Sequence, residues 1–163
     1  MAEKKVVLLG CDEAAFSLKE VIKAHLQSKG IEVIDYGVHT PDPVDYPDIA
    51  VQVARDVAAG RSDRAILMCG TGIGMAITAN KVPGVYAALA HDTYSAERAR
   101  KSNNAQVLTM GARVIGPELA KQIVDAWLAS EFQGGNSARK VAKIAALEQE
   151  LAARNLHEGE DTA

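Results

Sequence analysis

Short apolar runs alternate with amphipathic helical stretches along nearly the whole chain, and this alternation constrains the fold more than any other feature. Residues 5–10 (KVVLLG) form a continuous apolar run closed by glycine, the pattern of a strand buried on both faces. Residues 16–26 have helical period and end at Lys29-Gly30, a cation followed by glycine. Residues 31–36 alternate as a second strand, and a loop with three prolines then leads to a helix over 49–59. Residues 64–69 predict a third strand, 73–81 a helix, 85–90 a fourth strand, 93–102 a helix and 106–110 a fifth strand. Pro117 opens a strong helix to residue 130, and a final helix is expected over 139–154. The expected fold is therefore α/β: a three-layer, Rossmann-like domain with a five-stranded parallel sheet, helices on both faces and an added C-terminal helix. The domain is expected to span residues 1–154, with 155–163 a frayed polar tail.

A parallel sheet binds ligands at the carboxyl ends of its strands. Those ends carry Gly10-Cys11-Asp12, Cys69-Gly70-Thr71, Ala90-His91-Asp92 and Met110-Gly111-Ala112-Arg113. The richest is Cys69-Gly70-Thr71-Gly72-Ile73-Gly74. There a buried strand delivers a thiol to closely packed backbone N–H groups at a helix start, which attract anions and favour thiolate over thiol. The stretch combines a candidate nucleophile or base, Cys69, with a candidate oxyanion hole. By itself a strand-end cysteine serves most simply as a small buried hydrophobe. The alternating Gly70, Gly72 and Gly74 tip the reading towards function, because they remove side chains where backbone must approach a ligand. A dinucleotide fingerprint fits poorly, since the third glycine falls one residue early and the motif follows the third strand.

Asp12 sits where ligands bind and is placed to accept hydrogen bonds from substrate hydroxyls. Glu13 beside it is equally explained as a charge at a helix start. Asp92 is accounted for as a helix cap, and His91 before it lies on the ligand edge. Arg113 also lies on that edge. Arg139 and Lys140 open the last helix, where cations oppose the helix dipole, so they suit an anionic partner such as phosphate as well as a solvated face.

Bulk composition narrows the function classes. A net charge of −3 and 4% aromatic residues leave no basic footprint and few stacking platforms, which argues against nucleic acid. No apolar stretch approaches the ~18 residues of a membrane span. The N-terminus runs straight into the first strand without a signal-peptide pattern. The only cysteines, Cys11 and Cys69, lack paired spacing, and a reduced, cytoplasmic setting follows as the expectation.

Five segments together carry a family resemblance: Gly10-Cys11-Asp12, Asp45-Tyr46-Pro47, the glycine-rich segment at 69–74, Ala79-Asn80-Lys81-Val82-Pro83-Gly84 and Gly111-Ala112-Arg113-Val114-Ile115-Gly116. Over residues 6–147 the chain resembles the ribose-5-phosphate isomerase B and galactose-6-phosphate isomerase family. The resemblance implies aldose–ketose isomerisation of a phosphorylated sugar through a cis-enediolate, with no metal or cofactor. It implies that Cys69 is the base moving a proton between C1 and C2, that Thr71 handles the sugar oxygens and that the backbone of 70–74 holds the enediolate. It further implies homodimers or homotetramers with sites at subunit boundaries, where Asn103, Arg139 and Lys140 serve a neighbour's site.

The departures point to the substrate. Glu13 stands where the family usually has histidine, and Ser102 replaces the histidine before Asn103-Asn104. Asn136 and Lys140 stand where the family has arginines, while Arg113 is retained. The histidine replaced by Ser102 is the one the family uses to open a furanose ring. A tetrose 4-phosphate cannot close that ring, because its O4 carries phosphate. The stretch from His91 to Arg98 and from Ser102 to Gln106 is also similar to the D-erythrulose-4-phosphate isomerase branch. The favoured substrate is therefore a tetrose 4-phosphate. Ribose 5-phosphate, with His91 replacing the lost group, and a non-catalytic sugar-phosphate binding protein are the alternatives.

Overall fold

A computed structural model describes residues 4–160. Five strands form one parallel sheet: β1 (Val6–Cys11), β2 (Glu32–Asp35), β3 (Ala65–Cys69), β4 (Ala87–Leu89) and β5 (Val107–Gly111), in the spatial order β2-β1-β3-β5-β4. Six α-helices accompany them: α1 (Phe16–Ser28), α2 (Tyr46–Ala58), α3 (Ile73–Asn80), α4 (Thr93–Lys101), α5 (Pro117–Leu128) and α6 (Asn136–Glu160). The expected sheet and both helical layers are present. Strand order reverses between β1 and β3, and this places the loops after these two strands side by side on the ligand edge.

The central strands are buried on both faces, which explains their unbroken apolar runs. Alternation then sorts their side chains. Val7, Leu9, Cys11, Ile66, Met68, Leu108 and Met110 face a core shared with α1, α4 and α5. Leu8, Ala65, Leu67, Cys69 and Val107 face the opposite core, shared with α2 and α3. The two cysteines thus lie on opposite faces of the sheet.

Two helices differ from expectation in ways that matter. Helix α2 begins at Tyr46, not 49, because Pro47 fits a first helical turn that needs no N–H. Helix α6 begins at Asn136 and continues through Glu160, so residues 155–160 are helical where a frayed polar tail was expected; the last three residues of that expected tail lie outside the described residues. Nothing breaks the helix after Arg154, since the next residues hold no proline and Gly159 comes at its end.

Among the described residues, no helix is long and apolar enough to cross a membrane. Helix α6 makes no extended packing with any other element. Its Ile144, Leu147 and Leu151, spaced along one face, are exposed. Among the described residues, the Gly84 N–H ties it to the body by donating to the Glu148 carboxylate at 2.9 Å.

Candidate active site

Strand β3 ends in Cys69, which is only 4% exposed, and the chain turns at once into α3. The turn is made by Gly72 at φ +78°, a left-handed conformation that strains any residue with a Cβ. A Cβ at Gly72 would also lie 2.7 Å from the Met110 carbonyl carbon of neighbouring β5. With no side chain in the way, the Gly72 N–H swings back and donates to Cys69 Sγ at 3.1 Å. The sulfur therefore accepts an N–H at a helix start, where partial positive charge collects.

Around the sulfur lies an open cleft of about 390 Å³ lined by Asp12, Tyr46, Cys69, Gly70, Thr71, Ile73, Gly74, Ile77 and Arg113. Thr71 is exposed, and its Oγ1 accepts the Ile73 N–H at 3.3 Å, which leaves the hydroxyl proton free to donate elsewhere. The loop after β5 is stitched to this one: Ala112 N–H donates to the Cys69 carbonyl at 2.9 Å and Arg113 N–H to the Gly70 carbonyl at 3.0 Å. The Arg113 side chain lies over Gly70, where a Cβ would meet its Nη1 at 3.2 Å. Gly74 is required by the opposite wall, because a Cβ there would overlap the Tyr46 ring.

Asp12 caps the 3-10 turn Glu13–Ala15, its carboxylate accepting the Ala15 N–H at 3.3 Å. Burial, and then the adjacent Glu13 charge, push its carboxyl above the usual carboxylate value. Glu13, next to Asp12, accepts the Val44 N–H at 3.0 Å; that bond first, with the nearby Arg113 charge adding to it, holds its carboxyl below the ordinary value. His91 Nε2 accepts the Gly111 N–H at 2.9 Å beside the cleft, which commits that ring nitrogen as an acceptor. Among the described residues, no group of three or more His, Cys, Asp and Glu is placed to hold a metal.

The fold thus brings together Cys69, Gly70, Thr71, Gly72, Gly74, Asp12 and Arg113. It does not bring Ser102, Asn103, Asn136, Arg139 or Lys140 to them within one chain. Helix α4 leaves the carboxyl edge of the sheet at Thr93 and ends near the start of β5, so Ser102 and Asn103 lie at the opposite edge. Ser102 Oγ is gripped there by Arg98, through Nε at 2.9 Å and Nη2 at 2.6 Å. The segment before α6 is fixed at the same end by the Gln133 N–H donating to the Lys101 carbonyl at 3.1 Å. Asn136, Arg139 and Lys140 follow it and are exposed. Tyr46, Ile73 and Ile77 line the cleft but were not expected as site residues. The Asp45-Tyr46-Pro47 segment contributed to the family resemblance, but nothing in the sequence says which wall it builds.

Residues 7–144 match the family model described as Ribose/Galactose Isomerase. D-erythrulose-4-phosphate isomerase of Pectobacterium atrosepticum is 58% identical over 85% of this chain and 91% of its own length. Ribose-5-phosphate isomerase B of Escherichia coli is 48% identical over 89% of this chain and 97% of its own. The structure of Clostridium thermocellum ribose-5-phosphate isomerase B superposes with a TM-score of 0.88 at 45% identity, covering 90% of this chain and 99% of that one. The chain thus belongs to the ribose/galactose isomerase family of sugar-phosphate isomerases.

Proposed function

We propose that the protein interconverts a phosphorylated aldose and ketose, with Cys69 as the base and a tetrose 4-phosphate as the preferred substrate. The observation that carries this reading is Cys69 Sγ at the cleft, with the Gly72 N–H donating to it at 3.1 Å. In the aldose-to-ketose direction the thiolate takes the proton from C2. The electron pair of that C–H bond becomes the C1–C2 double bond of an enediolate as the C1 carbonyl pair moves onto O1; the thiol then returns its proton to C1 while the O2 hydroxyl proton passes to O1, which leaves the carbonyl at C2. Negative charge on the enediolate oxygens meets the N–H groups of the 70–74 turn and the Thr71 hydroxyl. Asp12 accepts from a substrate hydroxyl, and Arg113 supplies positive charge at the cleft for the anionic substrate.

The working unit is a homodimer or a larger homo-oligomer. Asn103, Arg139 and Lys140 lie across the sheet from Cys69 and reach a cleft only from another copy. The exposed stripe of Ile144, Leu147 and Leu151 on α6 supports such pairing.

Two contacts favour an open-chain substrate. Ser102 carries no imidazole and is held by Arg98, and His91 Nε2 already accepts the Gly111 N–H, so that ring nitrogen is not free for opening a furanose. The 58% identity to a D-erythrulose-4-phosphate isomerase agrees with this preference. The test is kcat/KM on a panel of four-, five- and six-carbon sugar phosphates. D-erythrulose 4-phosphate and D-erythrose 4-phosphate are expected to exceed ribose 5-phosphate by at least about tenfold, a difference of about 1.4 kcal/mol in transition-state stabilisation. A preference for ribose 5-phosphate would overturn the tetrose assignment. Tight binding without turnover of any of them would make the chain a binding protein.

A further inference from the structure

Segment 37–45 crosses from β2 to α2 and delivers Tyr46 to the cleft. It is tied down at its start. Lys19, fully buried on α1, donates to both oxygens of Asp35 at 3.1 and 3.0 Å and to the Val38 carbonyl at 2.5 Å. The Gly37 N–H donates to Asp35 at 2.8 Å. Beyond this point the segment is exposed, and Thr40 bonds only locally, to Asp42 at 2.7 Å. Asp45, the residue capping α2, makes no side-chain cap bond. Among the described residues, the hydrogen bond that joins 40–45 to a distant part of the chain is the one from the Val44 N–H to Glu13 at 3.0 Å. Glu13 begins the 3-10 turn directly after Asp12, which lines the cleft. Two residues beyond Val44, the Tyr46 ring occupies the space that Gly74 leaves open and forms one wall of that cleft.

We propose that Glu13 is a positioning residue: by accepting the Val44 N–H it ties segment 40–45 to the Asp12 turn and sets the Tyr46 wall against the glycine-rich turn. It acts through the segment, not on the substrate, and its charge is spent on a backbone N–H. The proposal rests on reading the Cys69 cleft as the active site.

Two substitutions test it on the intact protein. Glu13→Ala removes the acceptor, while Glu13→Gln keeps an oxygen that can accept from Val44. Amide hydrogen exchange over 39–46 is measured first, without substrate. It is expected to quicken about threefold to tenfold in E13A and much less in E13Q, while exchange in β3 stays unchanged. Unchanged exchange over 39–46 in E13A overturns the tie. In turnover of the best tetrose phosphate, E13A is expected to raise KM about threefold to tenfold with a smaller change in kcat, and E13Q to restore most of the loss. If E13Q loses as much turnover as E13A while its 39–46 exchange stays protected, the carboxylate charge itself serves the reaction and the positioning role is wrong. Because exchange is read without substrate, it decides the tie even if wild-type protein turns over none of the sugar phosphates, a result that would defeat only the functional reading.

Discussion

Cys11 and Cys69 end neighbouring parallel strands, each follows an apolar run, and only one of them meets the cleft. Cys11 is fully buried among the residues that face α1 and α5. Burial pushes its thiol up to about 12, despite the nearby Lys19 charge and a backbone hydrogen bond that act the other way. Cys69 faces α2 and α3, and its sulfur lies under the Gly72 N–H at the cleft. Two things separate them. The alternation of the strands turns their side chains to opposite faces, and the next residues differ: Asp12 caps a 3-10 turn over Glu13–Ala15, whereas Gly70-Thr71-Gly72 folds the Gly72 N–H back on the sulfur. A strand-end thiol becomes chemically useful through the turn that follows it.

The largest effect expected is on turnover. Cys69→Ala should lower kcat by about 10²–10⁴-fold while sugar-phosphate binding persists, and Cys11→Ala should keep turnover but lose about 1–2 kcal/mol of stability from the small void. Iodoacetamide followed by mass spectrometry sharpens the contrast, with native Cys69 labelled and Cys11 labelled only after unfolding. Equal activity in the two alanine variants would erase the distinction.

Next come the turns themselves. Gly72→Ala must hold a Cβ at φ +78° against the Met110 backbone, and urea melts should show a loss of about 2–4 kcal/mol. Ala14→Gly, at the matching turn after Cys11, should cost about 1 kcal/mol or less. Similar losses at both would mean that the glycine turn is not specially constrained.

The smallest effect concerns the carboxyl after Cys11. Burial first, and then Glu13, raise Asp12 above its ordinary value, so the folded protein holds this proton more tightly than the unfolded chain does. Its stabilising contribution is fully present below the unfolded value of about 3.9 and is lost as pH rises through the higher folded value. Asp12→Asn, which never ionises, should melt slightly higher than wild type at neutral pH, and the difference should close as pH falls below about 4. A gap that instead widened in acid would reverse the sign assigned to Asp12.

Much of the fold is written in local pattern. The apolar runs, helix periods and glycine punctuation located every strand and α-helix, within a few residues except at the end of α6, since each depends on near neighbours in sequence. The 69–74 turn was legible for the same reason: strand end, thiol, glycines and helix start are contiguous. Glu13 was not legible, because its partner Val44 lies thirty-one residues away and is a backbone N–H, which no residue letter reports. Tyr46 was missed as a cleft wall for a related reason, since only the packing of α2 against α3 brings its ring to Gly74.

The sequence by itself therefore determined the α/β class, the thiol beside a helix start and the family, because these reside in contiguous residues and their order. Tertiary structure decided which cysteine faces the cleft, what Glu13 holds and that Ser102 and Asn103 lie across the sheet from Cys69. Those outcomes depend on strand order, on the face each side chain takes and on contacts between distant segments, and the burial that fixes them arises only when the whole chain packs.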